Sequence, residues 1–290
     1  MFDNIFAAIE KWMRELLTGM VESNMSTMFT DVNEKTSEIA AQVGRTPQNW
    51  NSSVFSMIQN LSESVVVPIA GIIITLVLCY ELISMLTERN NLHDVDTWMF
   101  FKYFVKAWVA IYLVSNTFTI TMAVFDVGQS VVNSASGIIN GETAIDVSSL
   151  SMQMQAAMAT MEIGELVVLA LETFLVSFCM KIMSVVITVT VYGRMIEIYL
   201  YTSLAPIPFA TMSNREWGHV GTNYFRGLFA LAFQAFLMMV CVAIYAALIS
   251  SVRISSNMHS ALIGVAAYTV ILCFSLMKTG SLSKQIFGSH

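Results

Sequence analysis

The sequence predicts an all-α polytopic membrane protein, and three observations carry that prediction. Charged residues fill only 12% of the 290 positions and apolar residues 56%, whereas a water-soluble domain carries roughly 25% charged residues. Mean hydropathy is +0.67. The apolar residues gather in runs long enough to cross a hydrocarbon layer of about 30 Å, which takes about 20 helical residues. The same apolar content excludes disorder. A net charge of −6 gives no footing for general electrostatic binding of nucleic acid, which works by basic groups releasing counterions.

The first segment reads as an amphipathic helix. Phe2, Ile5, Phe6, Ile9, Trp12, Met13, Leu16, Leu17 and Met20 recur at helical spacing, and Asp3, Glu10, Lys11, Arg14 and Glu15 fill the other side. Those charges, and the lack of a basic leader, set it apart from a secretory signal. A helix of this kind lies in a membrane interface, docks on a partner or packs on the chain's own spans. Gly44 to Asn49 is a turn, and Val54 to Ser62 a short helix leading into the first span.

Five runs qualify as spans: Val65 to Leu86, Trp98 to Phe125, Ile163 to Tyr192, Gly227 to Ser250 and Ala261 to Met277. Between the third and fourth lies Arg194 to Met212, apolar but holding Glu197, with Pro206 and Pro208 removing two backbone donors. Irregular backbone at membrane depth is tolerated only where protein or water covers it, so this segment is expected to be a broken or re-entrant helix. From Asp126 to Glu162 there is neither Lys nor Arg, while Asp126, Glu142, Asp146 and Glu162 are acidic. Lys11, Arg14, Lys35 and Arg45 lie about 20 residues or more from the first span and are left out of the count. Of the rest, placing that loop outside puts Arg89, Lys102, Lys106, Arg194, Arg215, Arg226, Lys278 and Lys284 on the cytoplasmic side and leaves Arg253 outside. The inverse arrangement, with the Pro segment crossing, puts four of these nine inside and five outside. The basic-residue rule therefore favours the N-terminus outside and the C-terminus inside the cytoplasmic membrane. Within the loop, Leu150, Met154, Met158 and Met161 mark a further short amphipathic helix. The expected organisation is 1–64 for extracytoplasmic helices, 65–279 for the membrane domain with its outward loop 126–162, and 280–290 for a short cytoplasmic tail.

Ionisable groups inside spans are costly and become candidate sites by default. Lys102 and Lys106 lie one turn apart and either snorkel to the interface or pair with Glu81 from the first span, since Glu81–Lys106 or Glu81–Lys102 contact makes the burial tolerable. Glu172 and Lys181 are half a turn out of phase on their own helix, so each needs a partner from another span, another subunit or a wet cavity. Gln234 and Asn116 look like interhelical glue. The four cysteines, Cys79, Cys179, Cys241 and Cys273, sit in separate apolar runs with no metal or redox spacing. His93, His219, His259 and His290 are scattered and read as polar loop or interface residues. No phosphate-cradling loop, nucleophile elbow or zinc helix is written in the chain, so no catalytic residue, metal or cofactor is expected. An apolar surface with 21 methionines suits bound phospholipid and adaptable partner contacts.

Four stretches together resemble a known family: Phe55 to Gly71, Asn90 to Lys106, Ser115 to Asn133, and Arg194 to Phe236 with its LAPIPFATM core. The chain is similar to TrbL-like conjugal transfer proteins (the "VirB-six" class), in the compact form carried by conjugative elements of Gram-positive bacteria. The resemblance runs from the amphipathic N-terminus to the last span. It implies a polytopic inner-membrane subunit of a type IV secretion system, a machine that passes single-stranded DNA with its attached relaxase between cells. It also implies self-association, expected here as a ring, and work beside a separate ATPase and other secretion subunits. Nucleic acid enters only as translocated cargo. A rival from another class is a secondary transporter or small-solute permease using Glu172, Lys181 and Glu197, gated at the Pro206/Pro208 break.

Overall fold

The computed structural model describes residues 2–87, 97–139, 147–251 and 258–289. Arg89, His93, Glu142, Asp146, Arg253 and His290, on which parts of the sequence reading rest, lie outside the described residues. Among the described residues every regular element is a helix: α1 (Phe2–Val43), α2 (Pro47–Trp50), α3 (Ser52–Leu61), α4 (Val67–Thr87), α5 (Thr97–Ser115), α6 (Thr117–Ile139), α7 (Val147–Met158), α8 (Ile163–Ser203), α9 (Pro206–Thr211), α10 (Gly218–Ser250) and α11 (Met258–Ile286). Five stretches among the described residues are long and apolar enough to cross a membrane: Ser52–Thr87, Thr97–Ser115, Ile163–Ser203, Gly218–Ile249 and Met258–Ile286. The all-α polytopic fold of the sequence reading is what the chain adopts.

The elements differ in extent from the apolar runs that announced them, and each difference has a local cause. α3 and α4 are joined by a π-helical turn, Ser62–Val66, in which Val67 N–H reaches back five residues to Ser62 O. Pro68 follows at once. Its ring would press on the carbonyl four residues earlier in a regular helix, and the extra residue of a π turn opens that space. The run Trp98 to Phe125 divides at Asn116 into α5 and α6. There Asn116 Nδ2 donates to Tyr112 O (2.9 Å), and Thr117 Oγ1 donates to Leu113 O (2.8 Å) and Val114 O (2.9 Å). These short polar side chains compete for the carbonyls of the ladder. Helix α6 then continues to Ile139, so residues 126–139 are helical and not part of a loop.

The chain divides into two compact units. The first comprises Met1–Val43, Ser134–Val191 and Met238–Lys278; the second comprises Gly44–Asn133, Tyr192–Leu237 and Thr279–His290. In the first unit α1 runs parallel to α8: Arg14 Nη1 donates to Met161 O (2.8 Å), Asn24 Nδ2 to Thr173 Oγ1 (3.5 Å) and Lys35 Nζ to Thr188 Oγ1 (3.2 Å). Val21, Met25, Met28 and Ile39 are the buried face of α1. α7 packs on α1, burying Met154 and Met158.

In the second unit α9 lies against α4 and α5, and Ala70, Ile74, Ala110, Val114, Phe209 and Ala210 form their shared core. A further core joins Val124 and Phe125 of α6, Met195 and Ile198 of α8, and Leu228 and Leu231 of α10. Thr46 caps α2 and Asn51 caps α3 through its side-chain oxygen. The last helix ends in a Schellman arrangement: Ser289 N–H donates to Lys284 O (2.9 Å) and Gly288 N–H to Gln285 O (3.1 Å). Gly288 adopts φ +62°, which glycine alone takes at no steric cost.

Candidate functional site

The ionisable residues inside the spans are distributed over both units, and each is described in its own. In the second unit Lys106 of α5 donates through Nζ to Glu81 Oε1 of α4. Of the two lysines open to Glu81, the structure brings up Lys106; Lys102 is exposed and lies over the Trp98 ring, 5.6 Å from its centroid. Around the pair, Tyr103 donates to Leu78 O (2.9 Å) and Tyr80 to Glu216 Oε1 (2.9 Å). The α4–α5 contact thus carries one ion pair and one side-chain-to-carbonyl bond.

The proline break is tightly built. α8 carries on through Arg194 and Glu197 to Ser203, so the first half of the Arg194–Met212 segment is regular helix. The chain turns at Leu204 and Ala205, where Ala205 N–H donates to Thr202 O (3.3 Å), and Pro206 opens α9 at the position where its missing donor costs nothing. Thr202, Ser203, Pro206, Phe209 and Ala210 are buried. Tyr201 and Tyr224 stack with ring centroids 4.8 Å apart, and Tyr224 donates to Tyr201 O (2.7 Å). The α9–α10 approach depends on Gly221: a Cβ there would stand 2.5 Å from Pro208 O.

Arg194 is 7% exposed, and its Nη2 donates to Leu231 O of α10 (3.2 Å), while Nε has no hydrogen-bond partner among the described residues. Glu197 accepts from Lys284 of α11 (2.8 Å). Gln234 of α10 donates to Thr279 of α11 (3.4 Å), and Ser283 donates to Ala230 O (2.6 Å). Gln234 thus joins two helices, whereas Asn116 turns back on its own.

In the first unit Glu172 of α8 accepts from His259 Nδ1 of α11. Tyr245 and Thr269 share a hydrogen bond of 2.8 Å between α10 and α11. Lys181 is exposed near the middle of α8, with no partner among the described residues. Sequence reasoning missed His259 and Lys284 as the partners of Glu172 and Glu197. The only signal was that each is a polar residue at the edge of an apolar run, matching an acid within another. Among the described residues no group of three His, Cys, Asp or Glu is placed to hold a metal ion.

Among the described residues, five apolar helices of membrane-crossing length, with isolated ion pairs and side-chain-to-carbonyl bonds set among their apolar contacts, define a multi-pass membrane protein. The chain belongs to the TrbL/VirB6 family of plasmid conjugal transfer-like proteins, whose model matches residues 32–206. It is therefore a component of the conjugal transfer, type IV secretion class, a family of structural membrane subunits. The match begins within α1 and ends at Pro206, a narrower reach than the resemblance noted above, which extended over the last two spans. Comparisons with curated proteins and with solved structures returned no match.

Proposed function

We propose that the chain is a wall or scaffold subunit of a conjugative type IV secretion channel, working as a homo-oligomer in the cytoplasmic membrane with its N-terminus outside. A partner ATPase supplies the energy, and single-stranded DNA with its relaxase is the cargo. The observation that supports this reading best is the surface of α8. The helix has 41 residues, and apolar side chains stand exposed along it from Val167, through Phe174, Phe178, Val185 and Ile196, to Leu200. A bilayer core covers about 20 residues of an upright helix, and about 26 at a tilt of about 40°, the steep end of the usual range. The rest of that face calls for protein cover, which neighbouring subunits supply. Lys181, exposed amid this face, calls equally for an outside partner. Grooves between subunits are the places for bound phospholipid.

Deletion of the gene from a conjugative element, with complementation in trans, tests the function. Loss of DNA transfer restored by the intact gene supports it. Unchanged transfer overturns it. Ion-driven uptake of a small solute by purified protein in liposomes, abolished by Glu172→Gln, supports the permease instead.

A further inference from the structure

Helix α1 carries two apolar stripes on different sides. Its second half buries Val21, Met25, Met28 and Ile39 within the first unit, whereas Ile5, Ile9, Trp12 and Leu16 are 47–62% exposed. At 100° per residue the two sets point roughly 150° apart, so a helix seated by one cannot turn the other onto the same core. The contacts to α8 fix its course. Arg14 is level with Met161, just before α8 begins, and residues 4–13 run on past that point for about 15 Å. A helix parallel to a span and projecting beyond its start does not lie flat in the membrane interface.

The exposed stripe has the spacing of a self-associating seam. Ile5, Ile9, Trp12 and Leu16 follow one another at intervals of 4, 3 and 4 residues, the a/d alternation of a heptad. Phe6 and Met20, also exposed, fall at e positions and widen the face to the a/d/e breadth of a helix that faces a bundle core. Asn4, Ile5, Ala8, Ile9 and Trp12 line an open recess. Ile5, Ala8, Ile9 and Trp12 occupy d, g, a and d around it, the four-residue frame into which one knob of a parallel neighbour fits. Copies inserted in one membrane share orientation and level, so their projecting helices meet parallel and in register.

We infer that residues 4–20 form a parallel helical bundle with the same residues of neighbouring copies, with Ile5, Ile9, Trp12 and Leu16 as its seam. The inference rests on the homo-oligomeric reading above. It assigns the outward end of the assembly a bundle made by the chain itself.

Disulfide trapping in the full-length protein tests it. The four native cysteines, all free, are replaced by alanine, and single cysteines are placed at Ile5, Ile9 or Leu16 on the seam and at Ala7 or Lys11 off it. Oxidation in native membranes is expected to yield covalent dimers at seam positions at least about fivefold above the off-seam positions. Equal or absent dimers overturn the inference. So does a disulfide to a different protein, or a seam cysteine that is shielded from a water-soluble maleimide yet never dimerises, the mark of lipid cover. A second measurement keeps the native cysteines: native mass of Ile9→Glu/Leu16→Glu protein against the parent in nanodiscs, with a weaker or smaller assembly expected. A parent of single-chain mass removes the oligomeric reading itself. An oligomeric parent with no seam crosslinks removes only the bundle.

Discussion

Neutralising one member of the Glu81–Lys106 pair strands the other inside the membrane, and the two choices are unequal. The Glu81 side chain is 17% exposed and that of Lys106 39%. Lys106→Met leaves a short carboxylate in the more enclosed position. Glu81→Gln leaves an ammonium on a four-carbon stem that swings toward the interface. Breaking a fully buried pair costs about 3–5 kcal/mol, and a lone charge at the centre of a span about 2.5–3.5 kcal/mol on insertion scales. Glu81 lies six residues before the end of α4, about 9 Å along the axis, and Lys106 is more than a third exposed, so the lower part of that range applies. The expected losses are about 2 kcal/mol for Lys106→Met and about 1 kcal/mol for Glu81→Gln, with a coupling energy of about 1 kcal/mol between them. Reversible unfolding in mixed micelles, run as a double-mutant cycle with the Glu81→Lys/Lys106→Glu swap as a fifth variant, measures all of these. Single losses that add within about 0.5 kcal/mol, or a swap no better than the worse single variant, would refute the pairing as a source of stability.

Other expectations follow from individual contacts and are read by the same unfolding assay. Arg194 makes one hydrogen bond to Leu231 O and leaves Nε bare, so Arg194→Met, apolar and of similar length, is expected to stay within about 1 kcal/mol of the parent. Arg194→Ala, which empties the site, is expected to lose about 2 kcal/mol. Gly221→Ala drives a Cβ against Pro208 O and is expected to cost about 1–3 kcal/mol, whereas Gly71→Ala, with open space at its Cβ, is expected to be neutral or slightly stabilising. Tyr245→Phe removes the bond to Thr269 and is expected to cost about 0.6 kcal/mol, the mean for interhelical bonds in membranes.

The spans were legible because burial in lipid leaves a one-dimensional trace: about 20 apolar residues in a row, whatever the neighbours. Helix ends were less legible because they depend on partners. Arg194 and Glu197 suggested the close of the third span, but α8 runs past both, since Leu231 O and Lys284 meet them and nothing forces the helix to stop before Pro206. The division at Asn116 arises from side chains turning back on their own carbonyls, a choice among rotamers that no hydropathy pattern encodes. Pairings were legible only where spacing narrowed the options. Glu81 and its two lysines sit near adjoining ends of consecutive spans. Glu172 and His259, by contrast, lie 87 residues apart, and their meeting requires knowing that α8 and α11 are neighbours.

The polar contacts of the second unit share a feature that bears on how such a subunit moves. Arg194, Ser283 and Tyr224 donate to main-chain carbonyls of neighbouring or nearby helices, Leu231 O, Ala230 O and Tyr201 O. Leu231 O and Ala230 O lie within α10 and already serve its ladder, so there the bond uses a second lone pair whose direction is set by a rigid backbone. Tyr201 O, at the end of α8 where Ala205 N–H turns to Thr202 O, takes the tyrosine hydroxyl in place of a ladder donor. A slide of one turn, about 5.4 Å, breaks such a bond and leaves the donor bare in a low-dielectric interior, at a cost of about 1–3 kcal/mol for each group. Three such bonds, together with the Gln234–Thr279 and Glu197–Lys284 contacts, fix the register of these segments far more firmly than apolar packing alone, where one methyl group is much like the next. Helices locked in this way shift together. On the proposed reading, in which copies of the chain admit a wide cargo, the easier adjustments then lie at the exposed apolar faces, such as that of α8 with Val167, Phe174, Phe178 and Val185.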